Sequence, residues 1–219
     1  NNSKVNLKSL VFFSLALLFT SIALLLKPFA LFFALPMVYL AFNKFGWKML
    51  TNPYLWVFGI ISIVPLGLWR VWMNQFPEGI PSNAWLLNGG NIRFKGAYFN
   101  WIFAERIAKL ILGYWGIGLL VGGLVAKTKT SLVFFYVFLV SCLLYLVIIA
   151  RGNVQHDYYQ ILIIPTICLF LGLGGDFLLS QVKSLPNKFI ASFLVIIISV
   201  FSFMFSWYYI RDYFNINNH

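Results

Sequence analysis

The chain has 219 residues, 61% hydrophobic, 20% aromatic and only 10% charged, with a mean hydropathy of +0.86 and a formal net charge of +11. Soluble domains are about half apolar and about one quarter charged, so this composition excludes an ordinary soluble domain and predicts an all-α, polytopic transmembrane bundle. The 16 Lys and Arg fall in short clusters between apolar runs, with no basic face or base-reading motif, which excludes a nucleic-acid partner.

In chain order, the first apolar pair is 10–26 and 29–43, joined at Lys27-Pro28. One helix through both would be about 50 Å long against a hydrocarbon core of about 30 Å, so the run must break, and a proline pushes the residue before it out of helical geometry. Lys27 is then held at a membrane surface, either snorkelling to water or facing a ligand. The first residue is Asn, the tail IRDYFNINNH trails off polar, and no cleavage site follows the first apolar run, so the chain is expected to be an internal piece of a longer protein. The basic connector 43–53 leads to a third span at 54–72, with Pro65 inside it and expected to kink it.

Residues 73–104 are the one long polar segment, mixing Pro, Gly and Asn with Phe76, Trp85, Phe94, Tyr98, Phe99 and Trp101. A flexible linker would be poor in aromatics, so an ordered external loop lying on the bilayer is expected. It carries Arg93 and Lys95, with Arg106 just beyond, three cations that could clamp a phosphate or meet lipid headgroups.

A fourth span is expected at 106–126, with Gly118 and Gly122 as a small-xxx-small pair that lets helices approach closely. KTKT at 127–130 reads as a minimal turn, and a fifth span follows at 131–150. Then comes 151–165, RGNVQHDYYQILIIP, a polar knot between apolar runs. Arg151, His156 and Asp157 beside a span are costly unless hydrated, paired or used. The knot reads as the rim of a site, or as a short extramembrane loop whose tyrosines anchor it at the interface. The sixth span is expected at 159–178, with Asp176 a solvated acid at its far end, and the seventh at 188–208. The transmembrane bundle is thus 1–209, with 210–219 opening a C-terminal extramembrane segment. Cys142 and Cys168 lie inside apolar runs and are expected to be packed thiols.

Seven spans divide the cations evenly: Lys4, Lys8, Lys44, Lys48, Lys127, Lys129, Lys183 and Lys188 on one side, and Lys27, Arg70, Arg93, Lys95, Arg106, Lys109, Arg151 and Arg211 on the other. The count alone fixes no orientation. The first set is all lysine in short turns, and that side is placed in the cytoplasm; every unusual polar segment then lies on the opposite, extracytoplasmic face of a plasma-membrane protein. Such a face could hold an amphipathic ligand with an anionic head, Arg and Lys holding phosphate and Tyr donating a hydrogen bond. A polyprenyl-phosphate sugar is such a ligand, and cations around its phosphate would stabilise the charge growing on the leaving group. His156-Asp157 is the only candidate for a divalent cation, and adjacent side chains rarely converge on one ion; no cofactor is otherwise expected.

HDYYQILIIP is similar to the H-x-Y-Y-x5-P stretch of GT-C-class membrane glycosyltransferases, in the branch of the dolichyl-phosphate-mannose protein mannosyltransferases and the bacterial aminoarabinose lipid A transferases. SIALLLKPFALFFALP resembles that branch's apolar segment with a lysine at its corner. The resemblance implies a GT-C-like bundle with its site on the extracytoplasmic face and inverting transfer of a sugar from a polyprenyl-phosphate donor to a glycan, lipid or protein acceptor. It places Tyr159 on the donor phosphate with Tyr158 beside it, and, by segment, adds Lys27, Arg93, Lys95 and Arg106, with His156, Asp157 and Arg151 on the rim. The family's catalytic carboxylate lies in a loop ahead of this chain, and Glu78 and Glu105 do not match its motif, so this piece alone is expected to be inactive. Two other readings stay open: a lipid or polysaccharide transporter subunit, which should show internal repeats and mid-membrane polar residues, and a non-catalytic membrane scaffold.

Overall fold

The computed structural model describes residues 6–79, 84–126 and 132–214, which are helical with no strand among them. The expected KTKT turn and most of the tail after 210 lie outside the described residues. The chain divides into two compact units, Asn1–Asn83 and Ala84–His219.

In the first unit, α1 (Leu7–Leu26) starts at Asn6, whose side chain accepts a hydrogen bond from the Lys8 N–H at 3.0 Å. It stops at Lys27, which is extended (φ −149°, ψ 105°) because Pro28 follows. The chain re-enters helix as a 3-10 turn, Pro28–Phe33, then α2 (Ala34–Phe45), then a second 3-10 turn, Gly46–Thr51. These form one apolar stretch of 24 residues, longer than the expected 29–43 because the connector is itself helical up to Thr51. Asn52 caps α3 (Pro53–Met73) by accepting from the Tyr54 N–H at 3.0 Å, with Pro53 at the first helical position. α3 continues through Pro65 without a break. It packs on α1 through the edge-to-face pair Phe13–Phe58, at 5.8 Å, and through the small buried residues Ser21 and Ser62.

The second unit opens with α4 (Trp85–Asn88), a 3-10 turn at Gly89–Phe94, and α5 (Gly96–Phe99), which runs on as a π-helical stretch, Asn100–Ile111. Leu86, Ile92, Tyr98 and Ile102 are buried, so residues expected to lie on the bilayer are built into the unit's core.

The fourth span expected at 106–126 is not one helix. Gly113 (φ +54°) and Tyr114 (φ +57°) turn the chain by 107° into α6 (Gly116–Val125). Gly113 is needed there, since a Cβ would sit 3.2 Å from the Ser206 backbone. The elbow is pinned to α10 (Lys188–Ile210) by Trp115 stacked on Phe205 at 5.7 Å and Tyr114 edge-on to Tyr209 at 5.2 Å. The expected fifth span is also shortened: α7 (Val133–Ile148) ends where Ile149 leaves helical geometry, and α8 (Ala150–Gln155) starts afresh. The expected polar loop at 151–165 is therefore α8, an extended His156, a 3-10 turn at Asp157–Ile163 and the start of α9 (Ile164–Lys183).

Among the described residues, five helical stretches are long and apolar enough to cross a membrane, six if the bent pair is one span, against the seven expected, which makes this a multi-pass membrane protein by its helices. α7, at 16 residues, is about 24 Å long and falls short of the hydrocarbon core. The outer faces are apolar: α10 buries none of its residues, and Phe189 is 78% exposed, as a lipid-facing helix requires. Cys142 is buried as expected, its Sγ 3.1 Å from the Thr166 Oγ1, whereas Cys168 is exposed because it faces outward on α9.

α6 and α9 meet at backbone distance. A Cβ on Gly123 would lie 1.8 Å from the Phe170 carbonyl oxygen, and one on Gly174 would lie 1.8 Å from that of Leu119. A Cβ on Gly118 meets nothing within 4 Å. Gly123→Ala and Gly174→Ala are therefore each expected to cost about 3 kcal/mol or more, beyond ordinary overpacking, because a main-chain carbonyl cannot rotate away. Gly118→Ala is expected to be neutral. Thermal unfolding of the three detergent-solubilised variants checks this order.

Candidate functional site

A helix that ends leaves its last carbonyls without partners, and α7 ends inside apolar sequence. Arg93 supplies the donor: its Nη2 reaches the Ile148 carbonyl at 3.1 Å and the Leu87 carbonyl at 3.3 Å. Two successive left-handed residues, Gly90 (φ +67°) and Asn91 (φ +54°), turn the chain ahead of it, and the Asn88 Oδ1 accepts from the Arg93 N–H at 3.0 Å. Arg106 serves the far end of the same segment. Its Nη2 lies 3.5 Å from the Val154 carbonyl, and its guanidinium sits over the Trp101 ring at 5.5 Å. Both arginines thus face main-chain carbonyls of the 148–154 segment.

Two buried amides hold that segment from the other side. Asn153 is fully buried and Gln160 is 2% exposed. The Gln160 Nε2 donates to the Asn153 carbonyl at 2.7 Å and to its Oδ1 at 3.1 Å, while the Asn153 Nδ2 donates to the Ile149 carbonyl at 3.0 Å. Those acceptors fix the orientation of both amides. The Tyr145 hydroxyl donates to the Tyr159 carbonyl at 3.1 Å, tying α7 to the turn after α8.

The motif residues form a ring cluster. His156 stacks on Tyr159 at 5.6 Å and lies 5.2 Å from Tyr158 and 6.2 Å, edge-on, from Trp85; the two tyrosine rings are 4.9 Å apart. Tyr159 is buried, Tyr158 exposed, and His156 and Asp157 half-buried.

Two hollows flank the cluster. One, of about 330 Å³, is lined by Trp85, Gly89, Gly90, Arg151 and Gln155. The other, of about 420 Å³, runs between the end of the π-helical stretch and the start of α9, past Asp157, Tyr158 and Gln160. Arg151 is half-buried, and among the described residues none accepts a hydrogen bond from its guanidinium. Gly89 lies against the Arg151 stem, and a Cβ there would make ordinary contact with the Arg151 Cγ at 3.5 Å.

Of the residues expected at a donor phosphate, Tyr158 and Tyr159 come together with the rim residues Arg151, His156 and Asp157. Arg93 and Arg106 join the same region through the backbone carbonyls they hold. Lys95 is exposed at the head of α5. Lys27 belongs to the first unit, 6.0 Å from the centre of the Phe29 ring, and burial depresses its ammonium below the usual lysine range. Around His156 and Asp157 no cluster of three or more His, Cys, Asp or Glu forms among the described residues. Sequence reasoning missed Trp85, Gln155 and the Asn153–Gln160 pair as members of the region. No sequence signal singled out the pair, since both amides sit in the polar run NVQHDYYQ and meet only through the turn at His156.

Comparison with protein-family models, with curated proteins and with solved structures gives no match. The geometry stands by itself.

Arg93→Ala removes the donor from two carbonyls and is expected to loosen the 148–156 segment by about 1.5–3 kcal/mol. Backbone hydrogen exchange there should rise about tenfold or more, while exchange within α1 stays unchanged.

Proposed function

We propose that the chain belongs to a GT-C-class integral-membrane glycosyltransferase that moves a sugar from a polyprenyl-phosphate donor to an acceptor at the extracytoplasmic face of the plasma membrane. The observation that carries this reading is the uncommitted guanidinium of Arg151 on α8, in a hollow walled by Trp85, Gly89, Gly90 and Gln155 beside the HDYY rings. A guanidinium offers phosphate a planar, always-charged set of donors. Its charge, held in place before the reaction, stabilises the negative charge that grows on the leaving phosphate as the sugar departs.

In this reading Arg151 replaces Arg93 and Arg106 as the first anion contact, since those two are already engaged with main-chain carbonyls. They act as positioning residues that hold the Arg151 segment. Trp85 offers a ring face to a sugar, and Tyr158 is the exposed member of the tyrosine pair. The catalytic carboxylate is the element that the resemblance assigns to a loop ahead of residue 1.

The broken helix at 112–115 favours a second reading, a transporter subunit, because interrupted helices line many transport sites. Its elbow is packed on α10 by aromatic rings.

The test is sugar release from a synthetic polyprenyl-phosphate donor by the purified full-length protein. Arg151→Ala is expected to lower turnover about 100-fold, with Arg151→Lys recovering some of it because the charge returns without the planar fork. An unchanged rate in Arg151→Ala, or no release of sugar from any such donor, would refute the reading.

A further inference from the structure

The second hollow has the opposite chemistry from the first. Its long walls are aliphatic, with Leu110 and Ile111 facing Ile161 and Ile164, and at one end stand Asp157 and Gln160. Asp157 is half-buried, and among the described residues no cation pairs with it. Gln160 is 2% exposed, and its Oε1 has no donor. The amide cannot be turned to relieve this, because its Nε2 is already committed to two Asn153 oxygens. A buried carbonyl oxygen without a donor is costly, and a carboxylate at the edge of hydrocarbon is more so. The nearest lysine on the facing helix, Lys109, is neutralised by Glu105 at 3.0 Å, and Arg106 is turned to the Val154 carbonyl. The groove therefore offers the Asp157 carboxylate at its polar end and hydrocarbon along its length, with the Gln160 Oε1 enclosed behind it.

We infer that this groove binds a membrane lipid whose headgroup carries a primary ammonium. The N–H donors meet the half-buried Asp157 carboxylate, and an acyl chain lies along Ile161, Ile164 and Leu110. A carboxylate selects a cation, and it favours one that can donate a charge-assisted hydrogen bond. A trimethylammonium head has the charge without the N–H, so the groove separates the two. This lipid site does not rest on the glycosyl-transfer reading: Asp157 and Tyr158 border both regions, but the test measures binding rather than turnover.

The full-length protein is reconstituted in nanodiscs of equal amounts of phosphatidylethanolamine and phosphatidylcholine with matched acyl chains. After extraction, the lipids retained are counted by native mass spectrometry. Phosphatidylethanolamine should be retained over phosphatidylcholine by about tenfold, the size of one charge-assisted hydrogen bond. Asp157→Asn, a change at a half-buried position that keeps the side-chain volume, should erase most of that preference. Asp176→Asn, at an exposed acid on α9, should leave it intact. Equal retention of the two lipids by the unaltered protein, or a preference that survives Asp157→Asn, would overturn the inference.

Discussion

The hydrogen bond from Arg93 to the Ile148 carbonyl is what allows α7 to stop where it does. Where water is scarce, a helix cannot end without donors for its last carbonyls, because nothing else compensates each lost hydrogen bond. With that donor in place the chain can leave helical geometry at Ile149, restart as α8 and turn again at His156. The consequence is that 150–160 folds inward on its own amides instead of spilling into a loop. The clustering of His156, Tyr158 and Tyr159 with Trp85 follows from that return, because α8 is pressed on α4 closely enough for Gly152 to touch Leu86.

Much of the helical layout was legible from residues alone. Lys27-Pro28 breaks the first apolar pair because a proline acts on its neighbour locally, whatever surrounds it. Asn52-Pro53 and Asn187 begin helices for equally local reasons. The failures came where long-range contacts overrule local pattern. Apolar sequence through 106–126 carries no sign that Tyr114 will take a positive φ, since that conformation is held by rings on α10 far along the chain. The polar character of 151–165 suggested a hydrated loop for a similar reason. Its Asn153 and Gln160 satisfy each other, and the match becomes visible only when the turn at His156 brings them together.

The candidate site shows the same division. HDYY drew attention because an aromatic and ionisable run between apolar segments needs a physical reason to be there, and its rings do gather into one cluster. Which cation is free to meet a ligand was not legible. Arg93, Arg106 and Arg151 look alike as letters, and only the position of the broken helix ends decides that two of them serve the backbone. The result is a pair of hollows on either side of one ring cluster, cationic at Arg151 and anionic at Asp157.

The contact of α6 with α9 has a consequence for how this chain can diverge. At Gly123 and Gly174 the obstacle to any larger residue is the peptide unit of the opposite helix, which no exchange of side chains can trim. Drift at one position has no second-site remedy at the other, so the two glycines are bound to travel together through distant descendants. A pair of glycines 51 positions apart, the second inside a long apolar helix, is thus the footprint by which remote kin of this protein could be traced after the rest of the text has changed.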